Sequence, residues 1–396
     1  MRNIFRFSLA ILCCLIEVSC SFEKQHNLSV NTNRVIKINN DKIRNIDVLL
    51  DEYDCFNDLD EYLNTTTYVK LAPEPLLAPL KRVQITNNHI YVLDRMNRFV
   101  CYDLQGKVLY QIYAIGNGPG EYAGINTFAM DTRRNELILY DDLKTSLFVY
   151  SLDKGTYIRT EPLLKPNPSE IVFHQQTFFY NNRHHNNYTD DSLLHHSLLA
   201  SNNKYIIDKV CFPHDKFEEN YIFSPSLQTF NVNGDTLYYC KNFDSKVYHI
   251  CLDSIITCYD IKLPNPLPKS KIENCANEND LIRSDYSFGI SHIYETHGLL
   301  YFRFFNGGYI MNVLYDLVAN KQICCVKALQ EKFTEAIPII DIIDGVYKGS
   351  FYSVLTPDFI DYKVGIGLQD YSSFFHGYDD ETENPVIAFY EEIKKG

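Results

Sequence analysis

Tryptophan is absent from the 396 residues, methionine occurs four times, and no cluster of lysine or arginine relieves a net charge of −13. Without such a cluster to neutralise phosphates, the chain offers no broad nucleic-acid surface. None of the twelve cysteines forms a CxxC pair, which argues against a structural zinc site and against a regular disulfide framework. No GxSxG elbow occurs, so nucleophilic hydrolysis of the serine-elbow type has no motif to rest on. Helical periodicity is scarce, with residues 270–282 the best candidate for a short helix. Beyond residue 16, no run approaches the ~20 apolar residues that a membrane-crossing helix needs.

What is present points to strands. Tyrosine (30) and phenylalanine (25) are abundant, and 45% of the residues are apolar, enough for a sizeable core rich in strand-forming side chains. At the N-terminus, Arg2 and Arg6 precede the apolar stretch "FSLAILCCLI" (7–16), the pattern of a signal peptide over residues 1–19. The "EVSC" that follows resembles a bacterial lipobox, which implies lipid attachment at Cys20 and a membrane anchor. Residues 20–65 are then expected to hold the tether and an N-terminal strand segment, and residues 66–396 the folded body.

The body repeats itself. In "HIYVLDRMNRFVCYDLQGKVLYQI" (89–112), an alternating strand ends at Asp94, and a turn, a second strand, a turn at Gly106 and a third strand follow. "ELILYDDLKTSLFVYSLDKGTYIRT" (136–160) has the same outline, with Asp141 and Gly155 in the matching places. Tyr91 and Ile138 are equivalent, a spacing of about 47 residues, which suits a propeller blade of four antiparallel strands. Weaker copies at 170–212, 235–261, 298–326 and 345–393 bring the count to six. The expected fold is all-β, a six-bladed β-propeller of four-stranded blades. The segment "RVIKINN" (34–40) is expected to return as an outer strand beside the C-terminal one.

The stretch "AIGNGPGEY" (114–122) invites a phosphate-loop reading and refuses it. A phosphate loop needs Gly-Lys-Ser/Thr where this chain has Gly120-Glu121-Tyr122, and a dinucleotide fingerprint needs an opening helix, which "YAGINTF" does not provide. Gly116, Gly118, Pro119, Gly120, Glu121 and Tyr122 instead suit a sharp inter-blade corner: Pro119 presets φ and Gly120 supplies a positive φ.

These residues carry a resemblance. "YVLDRMNRFVCYDLQGKVLYQIYAIGNGPGEY" is similar to the signature of the six-bladed β-propeller lipoproteins common in Bacteroides-type bacteria, with Leu93-Asp94, Tyr102-Asp103, Gly106-Lys107, Gly116 and Gly118 through Tyr122 all in place. "TTYVKLAPEP" (66–75) resembles the strand that leads into the first blade, and "ENPVIAFYEEIKK" (383–395) the closing strand. The resemblance implies an envelope lipoprotein and no particular activity.

Candidate chemistry is sparse. His184, His185, His195 and His196, with Asp190 and Asp191 between them, form the one histidine cluster and a conceivable metal site; their Asn-rich setting reads better as a solvated loop. Asp94 and Asp141 could be paired acid/base carboxylates, but their repetition at strand ends reads as turn capping. Ser291-His292 lacks a recognisable orienting partner. No cofactor is expected. The expected role is a binding or interaction module for a glycan, a peptide or an envelope protein, with a hydrolase or lyase at the channel mouth as the alternative.

Overall fold

The computed structural model describes residues 35–50, 63–163, 168–183, 195–201, 206–215, 228–251, 254–274, 280–281, 283–327, 343–365, 375, 377–379 and 381–392. Six antiparallel sheets stand in a ring, forming a six-bladed β-propeller. Blade 1 is Leu80–Ile85, His89–Asp94, Phe99–Asp103 and Val108–Ile112; blade 2 is Thr127–Asp131, Glu136–Asp141, Ser146–Ser151 and Tyr157–Pro162. Blade 3 is Pro168–His174, Thr177–Asn182, His196–Ser201 and Ile207–Pro213; blade 4 is Phe230–Asn233, Thr236–Cys240, Lys246–Ile250 and Ser254–Lys262. Blade 5 is Ser287–Thr296, Leu299–Asn306, Tyr309–Asp316 and Lys321–Lys327. Blade 6 is Gly345–Tyr347, Ser350–Leu355, Val386–Glu392 and, from the start of the chain, Leu63–Lys70.

Burial follows position in the blade. The first strands of the blades approach one another and wall the central channel. The second strands are covered on both faces: His89–Asp94 is buried at all but its first residue and Glu136–Asp141 throughout. Outer strands face water on one side, as in Tyr157–Pro162. Between neighbouring blades lie separate apolar clusters, such as Tyr91, Leu93 and Phe99 of blade 1 against Phe128, Leu139 and Phe148 of blade 2. Blades 6 and 1 join in the same way through Tyr352 and Ile387 against Val92 and Val100. Tyrosine and phenylalanine fill these interfaces, with Phe99 edge-on to Phe128 at 5.1 Å.

Closure differs from the expectation in one respect. Leu63–Lys70, not residues 34–40, pairs with the C-terminal strand, with Lys70 opposite Val386 and Thr67 opposite Phe389. Residues 35–50 instead run across three other blades. Val35 bridges Val210 of blade 3, and Lys37–Asn39 and Arg44–Asp47 lie parallel to the outer strand of blade 4. Leu49 then exchanges hydrogen bonds of 3.0 and 2.9 Å with Gln322 of blade 5. The Ser254–Lys262 edge has unpaired backbone groups to offer and a strand period that matches the segment, so the nearer free edge takes it.

Helices are short. Lys269–Glu273 falls at the expected place, while residues 275–279 lie outside the described residues. A second helix, Pro357–Gly365, sits between two strands of blade 6; proline suits its first turn, where the missing N–H costs nothing. Among the described residues, no helix is long and apolar enough to cross a membrane. Cys101, Cys211, Cys240, Cys324 and Cys325 are buried and, like the half-buried Cys251 and Cys258, free of disulfides; the buried five pack as small hydrophobes.

Candidate functional site

The ring encloses a cavity of about 550 Å³ at the end of the channel where first strands turn into second strands, within the usual range of small-molecule sites. Its walls come from hairpin residues of blades 1, 2, 3, 4 and 6, with Tyr294 of blade 5 deeper in. Three of these hairpins are tight two-residue turns: Asn233 pairs with Thr236 around Gly234 (φ +57°) and Asp235, and the other two are left-handed at both turn residues. His174 pairs with Thr177 around Gln175 (φ +43°) and Gln176 (φ +73°), and Tyr347 pairs with Ser350 around Lys348 (φ +49°) and Gly349 (φ +84°). Such turns match the twist of the flanking strands but need two left-handed residues, a role that favours asparagine and glycine.

Below the mouth, polar groups are paired from blade to blade. Arg82 of blade 1 donates to Thr127 Oγ1 (3.0 Å) and the Phe128 carbonyl (3.1 Å) of blade 2, and its guanidinium lies 3.9 Å from Glu170 of blade 3. Glu170 Oε2 accepts from the Thr229 N–H (2.9 Å), the Thr229 hydroxyl (2.9 Å) and the Phe230 N–H (3.1 Å) at the start of blade 4. Gln228 accepts from the Tyr294 hydroxyl of blade 5 at 3.2 Å. Arg303 donates to Tyr301 (2.7 Å) and to the Ile343 carbonyl (2.7 Å), 3.5 Å from Asp344 beside blade 6. Burial raises the Asp344 pKa, and Arg303 opposes that shift. These buried charges are partnered, the condition for tolerating them in a core.

His174 is the exception. It lines the cavity with only 8% of its surface exposed, and its Nε2 has no hydrogen-bond partner. Burial, aided by the His249 ring, holds its pKa below the ordinary value, while Asp235 works the other way. The ring is therefore neutral at pH 7. An unpaired buried polar atom costs about 1–3 kcal/mol, and this one lies within the cavity wall, closed off from the open space.

The residues singled out in the sequence lie elsewhere. Gly116–Tyr122 sit between the outer strand of blade 1 and the first strand of blade 2, closed by the Tyr122 N–H to the Ala114 carbonyl (2.8 Å) and the Gly116 N–H to the Tyr122 carbonyl (3.0 Å). Glu121 accepts from the Gly118 N–H at 2.7 Å. The buried Tyr122 hydroxyl donates to the Asn97 carbonyl at 2.8 Å, and burial pushes its pKa up to about 12. A side chain at Gly116 would place its Cβ 2.1 Å from the Glu121 carboxylate, and one at Gly120 (φ +78°) 2.7 Å from the Tyr157 ring. Pro119 falls within the same turn.

Asp94 and Asp141 are fully buried in the blade wall rather than in the cavity. Asp94 accepts from the N–H groups of Arg98 (2.8 Å) and Ala78 (3.2 Å); Asp141 accepts from Ala123 (2.6 Å), Gly124 (3.3 Å) and Lys144 (2.9 Å). Each ties its own turn to the connection arriving from the preceding blade. Ser291 is buried, its Oγ 3.2 Å from His292 Nδ1, in an irregular part of the blade 5 first strand. Cys20, His184 and His185 lie outside the described residues. His195 is exposed, and His196 opens a blade 3 strand instead of lying in the loop. Among the described residues, no group of three His, Cys, Asp or Glu side chains is placed to hold a metal.

A ring of six antiparallel blades around a polar cavity defines a β-propeller with a candidate binding mouth at one end of its channel. The chain belongs to the family "Domain of unknown function (DUF4934)", whose model matches residues 24–391. Among solved structures it is similar to a Bacteroides fragilis protein described as exported, at 19% identity and TM-score 0.71, covering 89% of this chain and 100% of that one. It is also similar to a DUF4221 family member from Bacteroides vulgatus, at 10% identity and TM-score 0.50, covering 84% and 99%. At such identities the likeness shows the fold. No curated protein matches by sequence.

Proposed function

We propose that this chain is an exported, lipid-anchored propeller that works by binding, as an interaction module of the cell envelope. The observation that carries this reading is the 550 Å³ cavity at one end of the channel, rimmed by hairpin side chains and holding a buried His174 Nε2 without a partner. Export and anchoring rest on the apolar stretch 7–16 behind Arg2 and Arg6 and on Cys20. The export of the similar Bacteroides fragilis protein supports the first of these. The ligand is a glycan, a peptide or an envelope protein.

A thermal-shift screen with oligosaccharides and peptides tests the binding role, because a ligand that favours the native state raises the midpoint by mass action. A reproducible shift with one class supports a pocket ligand. A flat screen, together with no partner crosslinked to the anchored protein, removes the reading. Replacing Cys20 by serine should move the protein out of the membrane fraction; unchanged fractionation sinks the anchor.

A hydrolase or lyase at the same mouth is favoured by one observation. His174 is held neutral in the cavity wall with its Nε2 unpaired, and a neutral imidazole can take a proton. Turnover of a bound oligosaccharide, lost in His174→Ala while binding persists, would select that alternative.

A further inference from the structure

The cavity mouth is charged differently from the rest of the chain. Deeper charges are matched, Arg82 with Glu170 and Asp344 with Arg303. At the rim, Arg133 lies 6.0 Å from the Phe173 ring centroid and Lys348 lies 5.1 Å from that of Tyr347. Both cations are exposed, and neither forms an ion pair with a described residue. Asp235 is the one carboxylate against them among the exposed lining residues. A molecule with a net charge of −13 thus presents a local cationic rim, and a concave rim concentrates an approaching anion.

The remaining lining chemistry selects the kind of anion. Gln84, Asn87, Gln175, Gln176 and Gln228 bring carboxamides to the cavity, each carrying donors and an acceptor, the complement of a hydroxyl-rich chain. Gln175 and Gln176 hold a left-handed turn that glycine would hold with less strain; their side chains are kept at the mouth in spite of that. A peptide is often recognised through a free strand edge or an apolar groove. Here the first strands, each at the inner end of its sheet, line the channel, and the mouth itself is rimmed by hairpin residues.

Resting on the reading of the chain as a binding module, we propose that the mouth binds an acidic oligosaccharide. Arg133 and Lys348 take its carboxylates, and the carboxamides around them take its hydroxyls.

Calorimetry on the full chain in detergent tests this with three probes: a galacturonic acid trimer, the same trimer with its carboxyl groups reduced to alcohols, and a glutamate-rich peptide. The acidic trimer should bind at least tenfold more tightly than the reduced one, and added salt should shrink the difference. The double variant Arg133→Gln/Lys348→Gln should bring both sugars to the same affinity while leaving the reduced trimer unaffected. Equal affinity of the two trimers, or a ratio untouched by the double variant, overturns the proposal. Binding of the peptide alone also overturns it and leaves the binding-module reading standing. Silence from all three probes overturns it as well, and the broader reading falls only if the wider screen and the crosslinking are silent too.

Discussion

Left-handed backbone occurs both at the corner between blades 1 and 2 and at the channel mouth, and the two places treat it in opposite ways. At the corner the left-handed residue is Gly120, and the surrounding polar groups are satisfied: Lys144 donates to the Gly116 carbonyl at 2.6 Å and to the Glu121 carbonyl at 3.0 Å, while the Tyr150 hydroxyl caps the Gly120 carbonyl. At the mouth, Gln175, Gln176 and Lys348 take the same conformation without being glycine, and His174 Nε2 has no partner. The corner has the residues that stability asks for. The mouth does not, and although Thr145, Phe212 and Phe243 are left-handed elsewhere in the ring, at the mouth such residues stand beside a cavity, where strain is most readily tied to function.

Four measurements would sharpen or break this contrast. The largest effect is expected for Asp141→Ala, which removes the buried carboxylate that accepts from the N–H groups of Ala123, Gly124 and Lys144; unfolding in denaturant should show a loss of about 3 kcal/mol. Gly120→Ala combines a positive φ with a Cβ 2.7 Å from the Tyr157 ring and should cost about 2 kcal/mol. The double change Gln175→Asn/Gln176→Gly should act with the opposite sign, stabilising by about 1 kcal/mol because Asn-Gly suits the turn, while weakening ligand binding; a destabilised double variant would erase the contrast. The smallest effect is in pH. His174 has a lowered folded pKa, so the unfolded chain binds its proton more readily, and stability should fall as pH drops below the ordinary histidine value of about 6.5. His174→Leu should flatten that part of the midpoint-against-pH curve, and an unchanged slope would mean that the ring is not held neutral.

The architecture was legible in the sequence because its signals are local. An alternating strand ending in Asp94, a Gly106 turn and a Gly-Pro-Gly corner each declare themselves within a few residues, and their recurrence at blade length reveals the ring. The cavity was not legible, because its lining is gathered from five hairpins far apart in the chain, and in "HQQT" (174–177) a two-residue turn is made without the glycine or asparagine that announces one. "RVIKINN" could be read as an edge strand, but nothing within it names the sheet it joins: any exposed edge with a matching period accepts it. The helix at Pro357–Gly365 was missed because its weakly patterned residues lie between two strong strands.

The closing strand also sets an order of events. Lys70 emerges from synthesis about 316 residues (386 − 70) ahead of its partner Val386. Until then the growing chain is an open arc whose two ends carry raw strand edges, the condition in which β-structure is most prone to pair with the wrong chain. The sixth blade is therefore a latch that cannot fasten before its late strand has been made, and a chain cut short before residue 386 should be recognised by the cell as unfinished rather than work as a smaller propeller.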